Sequence, residues 1–182
     1  LQKLHAAWHQ GQLSDIALHF AGLIARLDPV ADEKVLLGAA LTSQYAVSGE
    51  VCVNLGEIAG TSVLVGADGA EIIAPKLSSW LTSLRRSSVV GTNDAYQPLV
   101  LENDDRLYLY QYRNLEARLA TALRSRAEAP DFDVDPAQLN RALSVVFPAV
   151  AEEMEQREAA VLTVRRPFAV ISGGPGTGKT TT

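Results

Sequence analysis

Through the first half of the chain, apolar positions recur at three- and four-residue spacing, the period of helices that bury one face. Ile16, Phe20, Leu23, Ile24 and Leu27 follow the capping pair Ser14-Asp15, and Asp28-Pro29 closes the run. That pattern predicts a capped helix with one apolar face. A second run, from Asp32 through Val35, Leu36, Ala39, Ala40 and Ser43, predicts a helix that stops before Gly49. Each stripe needs cover, so the helices are expected to pack on each other, on later elements or on a partner. Gly49 to Leu55 reads as a short extended or turn segment, and the small residues from Gly56 to Gly69 carry no readable period. Pro75 suits the first turn of a helix with Leu77, Trp80, Leu81 and Leu84, ending near Arg86, with Trp80 as a core anchor.

Alternation replaces this period at Pro98–Leu101 and Arg106–Tyr110, which flank the polar run Glu102-Asn103-Asp104-Asp105. This is a hairpin signature, with Leu107 and Leu109 on one face and Tyr108 and Tyr110 on the other. Asn114 is expected to cap a helix carrying Leu115, Leu119, Ala122 and Leu123. The segment Ala129–Pro136, with two prolines and three acids, reads as a linker, and a domain boundary is expected there. Asp135-Pro136 then caps a helix with Leu139, Leu143 and Val146, and another helix is expected from Val150 to about Thr163.

Composition alters this picture little. With 182 residues, 47% of them apolar, and a net charge of −5, the chain reads as globular, one domain or one plus the start of another. It does not open with Met, and both ends read as cut from a longer protein. One cysteine, Cys52, fits a reducing cytoplasm and is read as a small buried filler rather than a reactive thiol. No run of about 18 apolar residues suggests a membrane span. Seven arginines fall between Arg85 and Arg126, but five acids share that stretch, so a solvated mixed-charge surface is favoured over a nucleic-acid footprint.

The chemistry lies at the far end. Phe168–Ser172 is a short apolar run of the kind a buried parallel strand shows, leading into Gly173-Gly174-Pro175-Gly176-Thr177-Gly178-Lys179-Thr180. This is the G-x-x-x-x-G-K-[ST] pattern. Its glycines let successive backbone N–H groups converge on phosphate oxygens, and a helix beginning near Gly178 would add its positive end. Lys179 would reach the β/γ-phosphates of ATP, the Thr180 hydroxyl would ligate Mg²⁺, and Thr181 completes the candidate binding set. Gln156 lies 17 positions before Gly173, and its carboxamide offers a donor beside an acceptor, a complement to the adenine edge.

The stretch Ala169–Thr182, with Arg165-Arg166 ahead of it, resembles the RecD family, the alpha subunits of exodeoxyribonuclease V of the RecBCD type. Leu36–Ser43, Gly49–Leu55, Pro98–Leu101 and Leu107–Tyr112, with Glu116 following, are similar as well. Glu50 stands where the family often has His. The resemblance implies a superfamily 1 DNA helicase moving 5′-to-3′ in a complex that processes broken duplex ends for recombination. It also implies that Gln156 reads adenine, that the first region docks on RecC-like and RecB-like subunits, and that DNA is gripped by RecA-like motor domains. The expected fold is mixed α/β: a mainly helical docking domain with a small hairpin over 1–136, then the start of a RecA-like P-loop domain over 137–182. A stand-alone RecD-like or other superfamily 1 helicase, or a AAA+ ATPase fragment, is the alternative. Because the second acidic motif and the catalytic arginine of such motors would follow Thr182, this stretch alone is expected to be inactive.

Overall fold

The computed structural model describes residues 1–66, 69–92, 96–103, 105–147, 154–176 and 179. They form a mixed, mainly helical fold divided into two compact units, Leu1–Glu116 and Ala117–Thr182.

In the first unit the order is α1 (Gln2–His9), α2 (Asp15–Leu27), α3 (Glu33–Val47), β1 (Cys52–Asn54), α4 (Leu55–Ile58), β2 (Ser62–Val65), β3 (Glu71–Ile73), α5 (Leu77–Arg86), β4 (Val90–Gly91), β5 (Leu99–Glu102) and β6 (Arg106–Leu109). Strands β1, β6, β5 and β4 lie side by side in that order, with β4 and β5 parallel and the other pairs antiparallel. Strands β2 and β3 make a separate antiparallel ribbon. The hairpin is where the alternation placed it: Leu99 pairs with Leu109 and Glu102 with Arg106, and Asn103 takes φ 51° in the turn. Asn tolerates that left-handed conformation better than most residues.

Helix α3 is the centre of this unit. Every residue from Val35 to Ser43 is buried, so the helix is enclosed rather than amphipathic. Its approach to the sheet is set at Gly38, where a Cβ would stand 3.1 Å from Leu107 Cδ2 and 3.4 Å from Trp80 Nε1. The buried Thr42 hydroxyl is satisfied by donating to the Gly38 carbonyl at 2.7 Å. Trp80 is fully buried, and its indole N–H donates to the Lys34 carbonyl at 2.9 Å. This anchors α5 to the start of α3, as its apolar spacing suggested.

The caps also form. Ser14 Oγ accepts from the Ala17 amide at 3.4 Å, and Asp32 accepts from the Lys34 and Val35 amides at 3.0 and 3.1 Å. Burial works against the Asp32 charge, but hydrogen bonds from Ser83 and from these amides, together with the Lys34 charge, hold its carboxyl below the usual carboxylate range. Asp28, buried at the end of α2, accepts from Ser87 Oγ at 2.6 Å and from the Ser88 amide at 3.1 Å, tying that end to the segment after α5.

Helix α2 sits where the spacing placed it, but its stripe divides unexpectedly. Ala17, Leu18, Ala21 and Ile24 are buried, whereas Ile16 is 61% and Leu27 52% exposed, and Leu23 is exposed as well. Ala17 and Ala21 admit α3 closely beside the buried Leu18 and Ile24, while Ile16, Leu23 and Leu27 point outward. A second difference concerns α6 (Tyr110–Ala127), which leaves β6 directly instead of starting at an Asn114 cap. The Tyr110 amide donates to the Pro98 carbonyl at 3.1 Å, the last bond of the hairpin, so the helix begins where the ladder ends. Tyr110 is therefore a helix residue and not the end of a strand.

The unit division falls within α6, ahead of the expected boundary at 136. In the second unit, α7 (Pro136–Val146) is capped by Asp135, which accepts from the Ala137 amide at 2.8 Å. Its Leu139 and Leu143, with Phe147, form a small core against Val134 and against Ala160 and Val161 of α8 (Met154–Arg165). The linker closes on α8 through Phe132 N–H to the Arg165 carbonyl at 2.8 Å and an Asp131–Arg166 ion pair at 3.2 Å.

Two outcomes follow from this packing. Gly38→Val is expected to destabilise the first unit by about 1–3 kcal/mol in urea unfolding, by overpacking α3 against Leu107. Asp32→Ala is expected to cost about 1 kcal/mol near neutral pH through the lost cap. Because the folded-state pKa is depressed, that contribution is complete above the unfolded value near 3.8 and is lost as pH falls through the lower folded value. The gap between wild type and variant should therefore close in acid, and a gap constant with pH would refute the charged cap.

Candidate nucleotide site

Helix α8 ends at Arg165, and the chain from 166 to 174 runs without regular structure. The strand expected at Phe168–Ser172 does not form. A strand exists only through its ladder, no other described strand pairs with this run, and Val170 and Ile171 are left exposed.

The loop itself turns at Pro175-Gly176, and Gly176 adopts φ 79°, the left-handed region that glycine enters without a steric penalty. A Cβ built there meets nothing within 4 Å, so the backbone on that side is open. Lys179 folds back across the loop, its ammonium donating to the carbonyls of Gly173 at 2.6 Å and Gly174 at 2.5 Å. The ammonium thus lies against the bend of the glycine segment, in reach of any oxyanion held by its amides. These features fit a polyphosphate chain. Thr177, Gly178, Thr180 and Thr181 lie outside the described residues, and Thr180, the candidate Mg²⁺ ligand, is among them. Gln156 is half-buried on the first turn of α8.

A cavity of about 570 Å³ runs along α8, floored by Met154, Val161 and Leu162 and edged by Arg157, Arg165 and Arg166. Neither Gln156 nor a loop residue lines it. Sequence reasoning passed over this concavity, although the repeated Arg on one side of α8 was a signal that a charged edge would form.

The sheet of the first unit carries the other notable polar group. Tyr108 is buried on β6 opposite Cys52 of β1. Burial, then a hydrogen bond to the Cys52 sulfur, pushes the phenol up to about 12, against an opposing bond from Arg106. Cys52 is half-buried and stands opposite Tyr108 across the β1–β6 pair, not the fully buried filler its size suggested. Beside it Arg113 of α6 pairs with Glu102 of β5 at 2.5 Å, and that carboxylate raises the guanidinium pKa. Both contacts join neighbouring elements of one unit, and their chemistry is structural. Among the described residues no cluster of three or more His, Cys, Asp or Glu could hold a metal, and no helix is long and apolar enough to cross a membrane.

Fold and loop together define a mainly helical α/β unit followed by a glycine-rich, lysine-bearing turn. The family described as the RecBCD enzyme subunit RecD, N-terminal domain, matches residues 9–108. The chain belongs to the RecD family. It is 34% identical over 184 aligned residues to the RecBCD enzyme subunit RecD of Mycobacterium tuberculosis, an alignment that covers 97% of this chain and 28% of that protein. The RecD subunit of Mycolicibacterium smegmatis is 32% identical over 166 residues, covering 91% and 27%. That of Haemophilus influenzae is 35% identical over 82 residues, 42% of this chain. The chain therefore spans little more than a quarter of the length of the mycobacterial relatives.

The Tyr108–Cys52 contact is open to a double-mutant cycle. Tyr108→Phe and Cys52→Ala should couple by about 0.5–1 kcal/mol in urea unfolding. Strictly additive losses would mean that the hydroxyl and sulfur do not interact.

Proposed function

We propose that this chain supplies the docking scaffold and the phosphate-binding loop of an ATP-dependent DNA helicase subunit, one that works 5′-to-3′ in a RecBCD-type assembly in the cytoplasm. The observation that carries this reading is the family match across residues 9–108, extended by the mycobacterial alignment to nearly the whole chain. It favours a RecD-type motor over a AAA+ one, because the matched family lies upstream of the loop and the loop pattern alone serves both classes.

The loop geometry supports the nucleotide role. The open backbone at Gly176 and the amides of the Gly173–Gly178 segment would receive phosphate oxygens. Lys179 would exchange its contacts with the Gly173 and Gly174 carbonyls for β/γ-phosphate oxygens. Thr180 would hold Mg²⁺, whose charge offsets that of the phosphates, with Thr181 beside it. Gln156 would read the adenine edge through its carboxamide. Pro175 and Thr177 would shape the turn. The first unit would dock on RecC-like and RecB-like subunits, and DNA would be gripped by motor domains C-terminal to the loop.

Nucleotide binding tests the site. In the full-length subunit, Lys179→Ala is expected to weaken binding of a fluorescent ATP analogue with Mg²⁺ by at least about tenfold, given charge-assisted bonds to phosphate worth about 1.5–3 kcal/mol. Residues 1–182 alone should hydrolyse ATP no faster than their Lys179→Ala form. A wild-type fragment clearly faster than the variant, or a full-length variant that binds as well as wild type, would contradict the assignment.

A further inference from the structure

We propose that His5 and His9 together chelate a divalent transition ion of the Zn²⁺ and Cu²⁺ class on the solvent face of α1. The two lie four residues apart on one helix, which sets side chains on the same face with Cβ atoms about 5–6 Å apart. It is the spacing at which paired helical histidines share one metal ion, and imidazole is a ligand that both metals accept. Both residues are exposed, so an ion reaches them from solvent.

Three features of α1 prepare the pair. Both rings lie against Trp8, His9 tilted at 4.6 Å between ring centres and His5 edge-on at 6.4 Å. The indole is itself held by donating to Asp15 at 2.7 Å, so the imidazoles rest on a fixed wall. The turn beyond His9 is closed by the Gln10 and Gly11 amides, which donate to the Ala7 and Trp8 carbonyls at 3.2 and 2.8 Å. That closure keeps His9 in helical register with His5. Lys3, the only Lys, Arg, Asp or Glu in α1, lies on another side of the helix and donates to Glu33 at 3.0 Å. No fixed cation of α1 therefore opposes the ion. His9 alone would be explained by the negative end of the helix, but that leaves His5, a turn earlier beside the same indole, without a reason. No third His, Cys, Asp or Glu joins the pair among the described residues, so water completes the coordination and the ion is exchangeable. Bound, it would tie one turn of α1 to itself, stiffening an eight-residue helix too short to persist alone.

Copper titration of the whole 182-residue chain reads the site, because Cu²⁺ quenches an indole that lies beside it. The chain has two tryptophans, Trp8 and the fully buried Trp80, so the quenching reports on α1. Wild type should show a saturable quench at one ion per chain. His5→Ala and His9→Ala should each weaken it at least about tenfold, since even outer-shell changes cost that much in metal affinity. His19→Ala removes the remaining histidine, on α2, and should titrate as wild type. All three positions are exposed, so the variants should melt with wild type by circular dichroism in the presence of a chelator. Zn²⁺ should then raise the melting temperature of wild type and His19→Ala but not of the other two. An unsaturable or absent quench in wild type, or a His5→Ala or His9→Ala form that titrates as wild type, would overturn the chelate. A loss shared by His19→Ala would place the ion elsewhere and overturn it as well.

Discussion

The first unit depends on one close approach, that of α3 to the sheet at Gly38. A side chain there would press on Leu107 and Trp80, so the missing Cβ lets a helix sink between the sheet and α5 until all of Val35–Ser43 is buried. What remains follows from that depth. Thr42 must satisfy its hydroxyl within its own helix, and Trp80 must find a backbone carbonyl for its indole. Helix α2, lying across the other side of α3, presents Ala17 and Ala21 inward because little room is left for more. Leu18 and Ile24 pack inward beside them, while Ile16, Leu23 and Leu27 are turned away from the core.

This division explains what could be read from the sequence. The positions of α2, α3 and α5, the hairpin and the caps at Ser14 and Asp135 rest on spacing within a few residues, and these were legible. Which face of α2 turns inward was not, since Ala and Leu compete there for space that only α3 defines. Nor was the start of α6, decided by a bond between residues 98 and 110, or the partnership of Cys52 with Tyr108 across two strands distant in sequence. Phe168–Ser172 shows the same limit from the other side: an apolar run carries the composition of a strand, but strand structure needs a neighbour to pair with.

The glycine-rich loop differs from both cases, because the phosphate binding proposed for it would be a property of local backbone. Glycines, a lysine and a hydroxyl in one short run carry the proposed phosphate-binding reading, and the left-handed Gly176 and the inward fold of Lys179 are compatible with it. All of the charge imbalance lies elsewhere: residues 1–150 carry 12 basic and 17 acidic groups, while 151–182 carry four of each. An acidic, tightly packed first unit is better suited to meeting protein than to gripping a polyanion, in keeping with a family whose members are named as subunits of a larger enzyme.

The most direct test of that division of labour is hydrogen–deuterium exchange of the chain, free and assembled with RecC-type and RecB-type subunits. New protection should appear in the first unit and leave α3 unchanged, since α3 is already enclosed. An exchange pattern in the first unit identical in the free and assembled chain would contradict a scaffold that docks through that unit.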